Sequence, residues 1–458
     1  MDEQERAHRA ARGRAAAREL TARGIVATTL TWVDNSGITR VKTVPTGRLE
    51  HVAAWGVGFS PVFDAYLLDD SIASGRHAGG PVGDLRLHPD LDRLTVLGEP
   101  AGWAWAPGER YDQEGIRHAQ DARALLRRQV ARLTEEGLRV RAAFEVEWTV
   151  SLGRGEDFVP AAVGPGYGMT RIAELPEYLF DVLRALDTAG VEVEQLHPEY
   201  AAGQFEVSVA AQGPVWAADT AVLVRQTIQA VTMRYGMRAS FSPKVVMDGV
   251  GNGGHVHLSL WRGGRNLMAT GSGPYGMRPE GEGFAAGILA RLPAMLAIGC
   301  PSVASYLRLT PGQWSGPFAC WGLENREAAL RFVAGPAGLR AQAANLEVKC
   351  FDATANPYLA LTVLLAAGRD GVDAAARLPD PVTVDPATLD PEEREARGVA
   401  RLPTSLEEAV TVFEQDEVLR AALGAATADT VADVRRGEIA LFKDASDEEI
   451  VARTRWRH

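Results

Sequence analysis

Two glutamates one residue apart, Glu145 and Glu147, interrupt the apolar run AAFEVEWTV at 142–150. In a strand, side chains at i and i+2 share a face and lie about 6.7 Å apart, from a rise of about 3.3 Å per residue. Both ionised, they repel by ~2.5 kcal/mol at an effective dielectric of about 20. In an ordinary amphipathic strand water offsets that cost. At a built site a cation does so, with further ligands drawn from elsewhere in the chain.

Such ligands recur downstream. HPEYAAGQFEV supplies Glu199 and Glu206 around a tight Ala-Ala-Gly turn, which predicts that the second glutamate folds back beside the first. GNGGHVHLSL sets His255, His257 and Ser259 on one strand face by period two, after a glycine-rich turn. NLEVKCFD adds Glu347 among apolar neighbours, and ENREAALRF adds Arg326 and Arg331. Taken singly, each histidine reads as a satisfied core or surface group and the arginine run as a solvated face. Together, these strand-borne glutamates, histidines and arginines suit hard divalent cations bound through oxygen, beside a polyphosphate held by arginine.

Positioning these groups requires strands fed by helices. GIVATTLTWVDNSGITRVKTVP reads as two strands about an Asp-Asn-Ser-Gly turn. A Gly-, Pro- and Asp-rich stretch then runs to Trp105, and a boundary near it gives an N-terminal domain over 1–107 and a second domain over 108–458. Helical periodicity with a glycine stop predicts a helix over 114–137 that leads into the Glu145 strand. Helix followed by strand recurs at 174–189 with VEVEQLHPEY and at 217–238 with ASFSPKVV. Further helices are expected near 283–298 and in NPYLALTVLLAAGRDG. The second domain is thus mixed α and β, with at least four strands ending in polar clusters. No GxxxxGK[ST] loop, no GxGxxG after a strand and no solenoid repeat is found.

Composition bounds the rest. At 458 residues the chain is long enough for two or three domains, and 46% hydrophobic residues suit a globular protein. A net charge of −11 argues against wholesale nucleic-acid binding while leaving room for a local phosphate pocket. Cys300, Cys320 and Cys350 have no CxxC spacing, as in a reducing cytoplasm. The charged N-terminal segment lacks the apolar core of a signal peptide. No apolar run approaches the roughly 18 residues of a membrane span. The expectation is a cytoplasmic protein without nucleic-acid or membrane partners.

The order of FEVEW, HPEYAAGQFEV, NGGHVHLSL, RLTPG, ENREAALRF and LEVKCFDATANPYLALTVLLAAG resembles the glutamine synthetase family along nearly the whole chain. That resemblance implies an α+β fold: an N-terminal β-grasp domain and a catalytic domain built on a curved antiparallel sheet with helices. It also implies hexameric rings, often stacked as dodecamers, with active sites between subunits. Carried over by position, one Mg or Mn site comprises Glu147, Glu199 and Glu206, and a second Glu145, His255 and Glu347. ATP contacts would be Glu194, His257, Ser259 and Arg331. Arg326 would neutralise the phosphoryl group in flight, and glutamate would meet Glu147, Gly251, Arg308 and Lys349. The implied chemistry is phosphorylation of the glutamate γ-carboxylate by ATP, then attack by an amine.

Departures from the family pattern cluster at the amine. In GFSPVFDAYLLDD, Ser60 stands where the family has an ammonium-binding aspartate, and RLTPGQWSG carries Trp314 where a flap glutamate is usual. Tyr167 in GPGYG is kept, beside Glu199. A hydroxyl and an indole in place of two carboxylates suit a larger amine with its own carbon chain. Lys349 replaces an arginine that pairs with the glutamate α-carboxylate, and Val250 and Gly251 stand at the usual Asn-Gly. The chain is therefore most similar to the γ-glutamyl-amine ligases. Ethanolamine is expected first and polyamines next, ahead of ammonium as in glutamine synthetase proper. A homologue that keeps the fold without catalysis is the rival from another class, and six retained metal ligands argue against it.

Overall fold

The computed structural model describes residues 1–458. In the N-terminal part, β1 (Ala27–Val33) and β2 (Thr39–Pro45) form the expected hairpin about Asp34–Gly37. With β3 (Val57–Phe59), β4 (Leu85–Pro89), β5 (Thr95–Val96) and β6 (Trp103–Tyr111) they make a sheet of order β2-β1-β6-β4-β3, β5 pairing with β6. The β1–β6 pair is parallel. Helices Glu3–Ala22 and Leu49–Trp55 accompany this sheet, whose core of Leu30, Trp32, Phe59 and Leu87 is separate from that of the rest of the chain. Strand β6 runs to Tyr111, four residues beyond position 107.

The larger part is built on ten strands: β7 (Leu138–Ser151), β8 (Val193–Pro198), β9 (Gln204–Val209), β10 (Arg238–Ser240), β11 (Gly254–Arg262), β12 (Arg265–Asn266), β13 (Phe318–Leu323), β14 (Ala328–Val333), β15 (Asn345–Val348) and β16 (Ala400–Arg401). Their order is β16-β13-β14-β15-β11-β7-β9-β8, with β10 on β7 and β12 on β11. The sheet is mixed rather than wholly antiparallel as expected, because β13 and β14 run parallel. Glu324 sits in the left-handed region (φ 52°), and Asn325 Nδ2 donates to the carbonyls of Val382 and Val384, both 2.9 Å away. Those anchors send the chain back to begin β14 beside the start of β13.

Three helix expectations shift at their starts. The helix expected over 114–137 is Ala122–Glu135, because Asp112 Oδ1 accepts from the N–H groups of Glu114 and Ile116 in a turn and Asp121 caps the helix at Ala124 N–H. The 174–189 helix is Pro176–Thr188, set off from a preceding helix Met169–Glu174 because Pro176 has no N–H to continue it. The 217–238 helix is Pro214–Arg234, with proline in its first turn. Helix Pro279–Gly299 corrects the sequence reading of apolar runs: it is long and apolar enough to cross a membrane, and 83% of its most apolar window is packed inside the fold. All three cysteines are free and buried.

The hairpin turn of the N-terminal sheet docks on the larger part of the chain. A side chain at Gly37 would put its Cβ 1.7 Å from the Thr354 carbonyl, so only glycine permits this approach. Asn356 caps helix Pro357–Asp373 and donates Nδ2 to the carbonyls of Val33 and Asp34. Behind this contact, Asp219 is wholly buried and accepts two 2.8 Å bonds from Arg123 and one of 2.8 Å from the Tyr358 hydroxyl, with Arg93 3.8 Å away. One carboxylate thus ties three helices to the N-terminal part. Asp219→Ala is expected to lower the unfolding free energy by about 3 kcal/mol, since it breaks a buried ion pair and leaves the Arg123 guanidinium to Asp90 alone, 2.7 Å away. Equilibrium urea denaturation checks this, and a change within about 0.5 kcal/mol would place the stability elsewhere.

Candidate active site

Strand register assembles the site. Antiparallel pairing sets Glu145 opposite His255 on β11 and Ser208 on β9, and Glu147 opposite Glu206. It sets Glu347 on β15 opposite both His257 and Arg331, and His197 on β8 opposite Glu206. Paired residues project to the same side of a sheet. One face therefore gathers Glu145, Glu147, Glu206, Glu347, His197, His255, His257 and Arg331. Glu199 follows β8 directly, and its N–H to the Gln204 carbonyl (2.8 Å) folds it back toward Glu206, as the Ala-Ala-Gly turn predicts.

The glycine-rich turn before β11 lets backbone come close to these charges. A Cβ on Gly253 would lie 2.5 Å from His255 Nε2 and 2.9 Å from Glu147 Oε1; one on Gly251 would lie 2.1 Å from the Pro243 carbonyl. In their absence the Gly253 N–H donates to Glu147 Oε2 at 2.8 Å. Gln204 Nε2 lies 3.0 Å from the same oxygen and 3.0 Å from the Gly251 carbonyl. Glu147 Oε1 is left facing His255 Nε2 at 3.8 Å.

The remaining carboxylates are balanced by bases. His255 Nδ1 lies 3.3 Å from Glu145 and 3.5 Å from Glu347, while His257 Nε2 lies 3.2 Å from Glu145. Burial works to raise the Glu145 carboxyl, but the His257 charge and bonds to both histidines hold it well below the usual carboxylate range. Glu347 is likewise held down against burial by Lys349, 3.1 Å away, and by the two histidines; Arg331 adds a 2.7 Å contact. His257 is pushed up to about 9, Glu145 outweighing burial. At the other end, burial and the charges of Glu147 and Glu206 push Glu199 up to about 7. His197, bonded to Glu206 at 3.2 Å, is raised to about 9.

Three sets of donors have ligand atoms mutually within 4.8 Å: Glu145–His257–Glu347, Glu145–Glu206–His255 and His197–Glu199–Glu206. Oxygens and imidazoles at that spacing can share a divalent ion at about 2.0–2.6 Å from each. The crowding that raises Glu199 is what a cation would relieve, so the donor set fits one. Relative to the expected grouping, His257 joins the set of Glu145 and Glu347, and Glu147 is turned toward Gly253 and Gln204. Glu206→Ala is expected to weaken Mn or Mg binding by at least about 100-fold with the far-UV spectrum unchanged, since even groups that merely orient ligands contribute ~10–100-fold. Calorimetric titration checks this; unchanged affinity would remove Glu206 from the site.

The other expected residues surround this face unevenly. Arg308 is buried, donating to the carbonyls of Lys349 and Cys350, both at 3.2 Å. Ser259 accepts the Trp261 indole N–H at 2.8 Å, and Glu194 is exposed at a bulge in β8. Tyr167, in the left-handed region at φ 56°, bonds Glu199 and sits 6.3 Å from the His197 ring. Trp314, also left-handed at φ 52°, is 57% exposed, with the Arg326 guanidinium 6.0 Å from its ring. Ser60 is not brought to the cluster: it caps the short helix Pro61–Ala65, accepting from Val62 N–H at 3.2 Å. Sequence reasoning missed His197 and Gln204. The signal for both was strand parity, since each lies two residues before an expected ligand, Glu199 and Glu206.

With this geometry in hand, similarity to known proteins is informative. Residues 119–453 match the family model described as glutamine synthetase, catalytic domain. Gamma-glutamylpolyamine synthetase GlnA3 of Streptomyces coelicolor is 56% identical over 443 residues, covering 96% of this chain and 95% of that protein. Glutamate–methylamine ligase of Methyloversatilis universalis is 28% identical over 416 residues, covering 86% and 88%. A crystal structure described as a novel glutamine synthase homolog superposes with a TM-score of 0.83 at 34% identity, covering 93% of this chain and 97% of that one. A face of glutamates and histidines laid out by strand register, in a chain matched across its catalytic part by that model and nearly end to end by amine ligases, makes this protein a member of the glutamine synthetase family, in its γ-glutamyl-amine ligase branch.

Proposed function

We propose that the chain joins the γ-carboxylate of glutamate to a primary amine of a polyamine, at the expense of ATP, through γ-glutamyl phosphate. The observation that carries the choice of amine is the 56% identity, over nearly the full length of both chains, with a γ-glutamylpolyamine synthetase. The sequence reading put ethanolamine first, and the uncharged Trp314 at the flap position keeps it as the second reading.

A carboxylate is a poor electrophile because its oxygen is a poor leaving group. In the first step a γ-carboxylate oxygen attacks the terminal phosphorus of ATP and ADP departs. In the second, the amine lone pair attacks the acyl carbon, phosphate leaves and the nitrogen sheds a proton. Arg326 and Arg331 spread the charge that moves between phosphates, with His257, Ser259 and Glu194 along the nucleotide. Arg308, Lys349 and Gly251 hold the glutamate end. Divalent ions on the acidic face would neutralise phosphate oxygens during transfer. Glu199, Tyr167 and Trp314 border the amine, and Ser60 would come from a neighbouring copy in a hexameric or dodecameric ring. Ser60's lack of contact with its own chain's cluster supports that arrangement.

The test is a phosphate-release assay with glutamate and ATP, comparing kcat/KM for spermidine, putrescine, ethanolamine, methylamine and ammonium. Ammonium is expected to be the poorest by at least about 10-fold, because two charge-assisted contacts of its cage are missing. Polyamines leading supports the proposal. Ethanolamine leading selects the second reading, and ammonium leading overturns both.

A further inference from the structure

Glu327 is 6% exposed, and one of its oxygens has an unusual lack of company. Oε1 accepts the Trp314 N–H at 2.8 Å, whereas Oε2 is buried with no hydrogen-bond partner. The nearby cations are otherwise engaged. Lys349 is bonded to Glu347, and Arg401 donates to the carbonyls of Leu309 and Pro317. A carboxylate oxygen buried without a partner is costly unless something supplies the charge or the donor.

Its position says what that something is. Residues 327, 329 and 331 share a parity on the β14 side of the sheet, and Arg331 pairs with Glu347 while Lys349 N–H donates to the Ala329 carbonyl. Glu327 lies one residue before β14, and the charge of Lys349 reaches its carboxylate, which places it toward the side that carries Arg331, Glu347 and Lys349. Arg331 follows it by four positions, with three residues between. The small Ala329 stands between. Glu327 is held at the flap by the Trp314 N–H, four positions along the chain from the Arg331–Glu347 pair, a place that suits a second nitrogen of the amine rather than the attacking one. Glu327 holds the Trp314 main chain, and the exposed indole of that residue is an apolar group available to the amine's methylenes at the same flap.

We propose that Glu327 is a specificity-determining residue: its carboxylate binds a non-reacting ammonium group of a diamine or polyamine substrate, beside the main chain of the flap residue Trp314. The proposal rests on the γ-glutamyl-amine ligase reading and names what selects the amine. Glu327 would thus stand in for the carboxylate missing from position 314, but serve the far end of the amine.

Steady-state kinetics of Glu327→Gln test it, because the amide oxygen can still accept the Trp314 N–H while the charge is lost. The KM for putrescine and spermidine is expected to rise about 10- to 100-fold, with the KM for glutamate and for ATP unchanged and turnover of ethanolamine or methylamine little affected. Glu327→Asp, which keeps the charge on a shorter arm, should recover part of the loss. Equal losses for monoamines and diamines, or a raised KM for glutamate, would make Glu327 a flap support and overturn the proposal. No change with diamines in an enzyme that uses them would overturn it as well. An unmodified enzyme that rejects every diamine would instead overturn the choice of polyamine, which the first assay reads independently.

Discussion

The constraint on which this structure turns is the repulsion among carboxylates packed onto one face of a sheet. Glu145, Glu147, Glu206 and Glu347 are all buried or half-buried, so water alone does not screen them. Each is met by a specific neighbour: Glu147 by the Gly253 N–H, Glu145 by two imidazoles, Glu347 by Lys349 and Arg331, Glu206 by His197. Burial and the neighbouring glutamates still push Glu206 up and raise Glu199 to about 7. The charge gradient across the face, basic at β14–β15 and acidic at β8–β9, suits a polyphosphate at one end and cations at the other.

That face can exist only because the backbone under it is rigid. β7 is 14 residues long and is paired on both edges, by β11 and by β9, so the two glutamates cannot turn apart. The glycines before β11 permit the main chain to reach Glu147, and residues with side chains there would collide with His255 or Arg308. Just beyond β15, Thr354 and Asn356 receive the N-terminal hairpin, so the strand bearing Glu347 and Lys349 leads straight into the contact between the two parts of the molecule. Side chains on rigid, mutually supported elements hold catalytic geometry better than side chains on loops.

The side proposed for the amine is built differently. Tyr167 and Trp314 are non-glycine residues in the left-handed region, both exposed, and both lie in connections rather than strands. In the proposed function, a fixed acidic sheet face would carry the phosphoryl chemistry while the loops beside it choose the amine.

Much of this was legible in the residues themselves. Period-two spacing put Glu145 with Glu147 and His255 with His257, because a strand offers only two faces. The Ala-Ala-Gly turn predicted the return of Glu206 toward Glu199, and the Asp-Asn-Ser-Gly turn predicted the hairpin. Periodicity located the helices but not their starts, which Asp112, Pro176 and Pro214 decided through local hydrogen bonding. Which strands would lie side by side was beyond local pattern, since pairing is settled by long-range packing. Only the tertiary structure decided that His257 faces Glu145, that β13 and β14 run parallel, that Ser60 stays away from its own chain's cluster, and that Glu327 accepts the Trp314 N–H and keeps an unpartnered oxygen. The sequence carries the types and parity of the charged residues; their energies depend on neighbours that are distant along the chain, and those exist only once the sheet has formed.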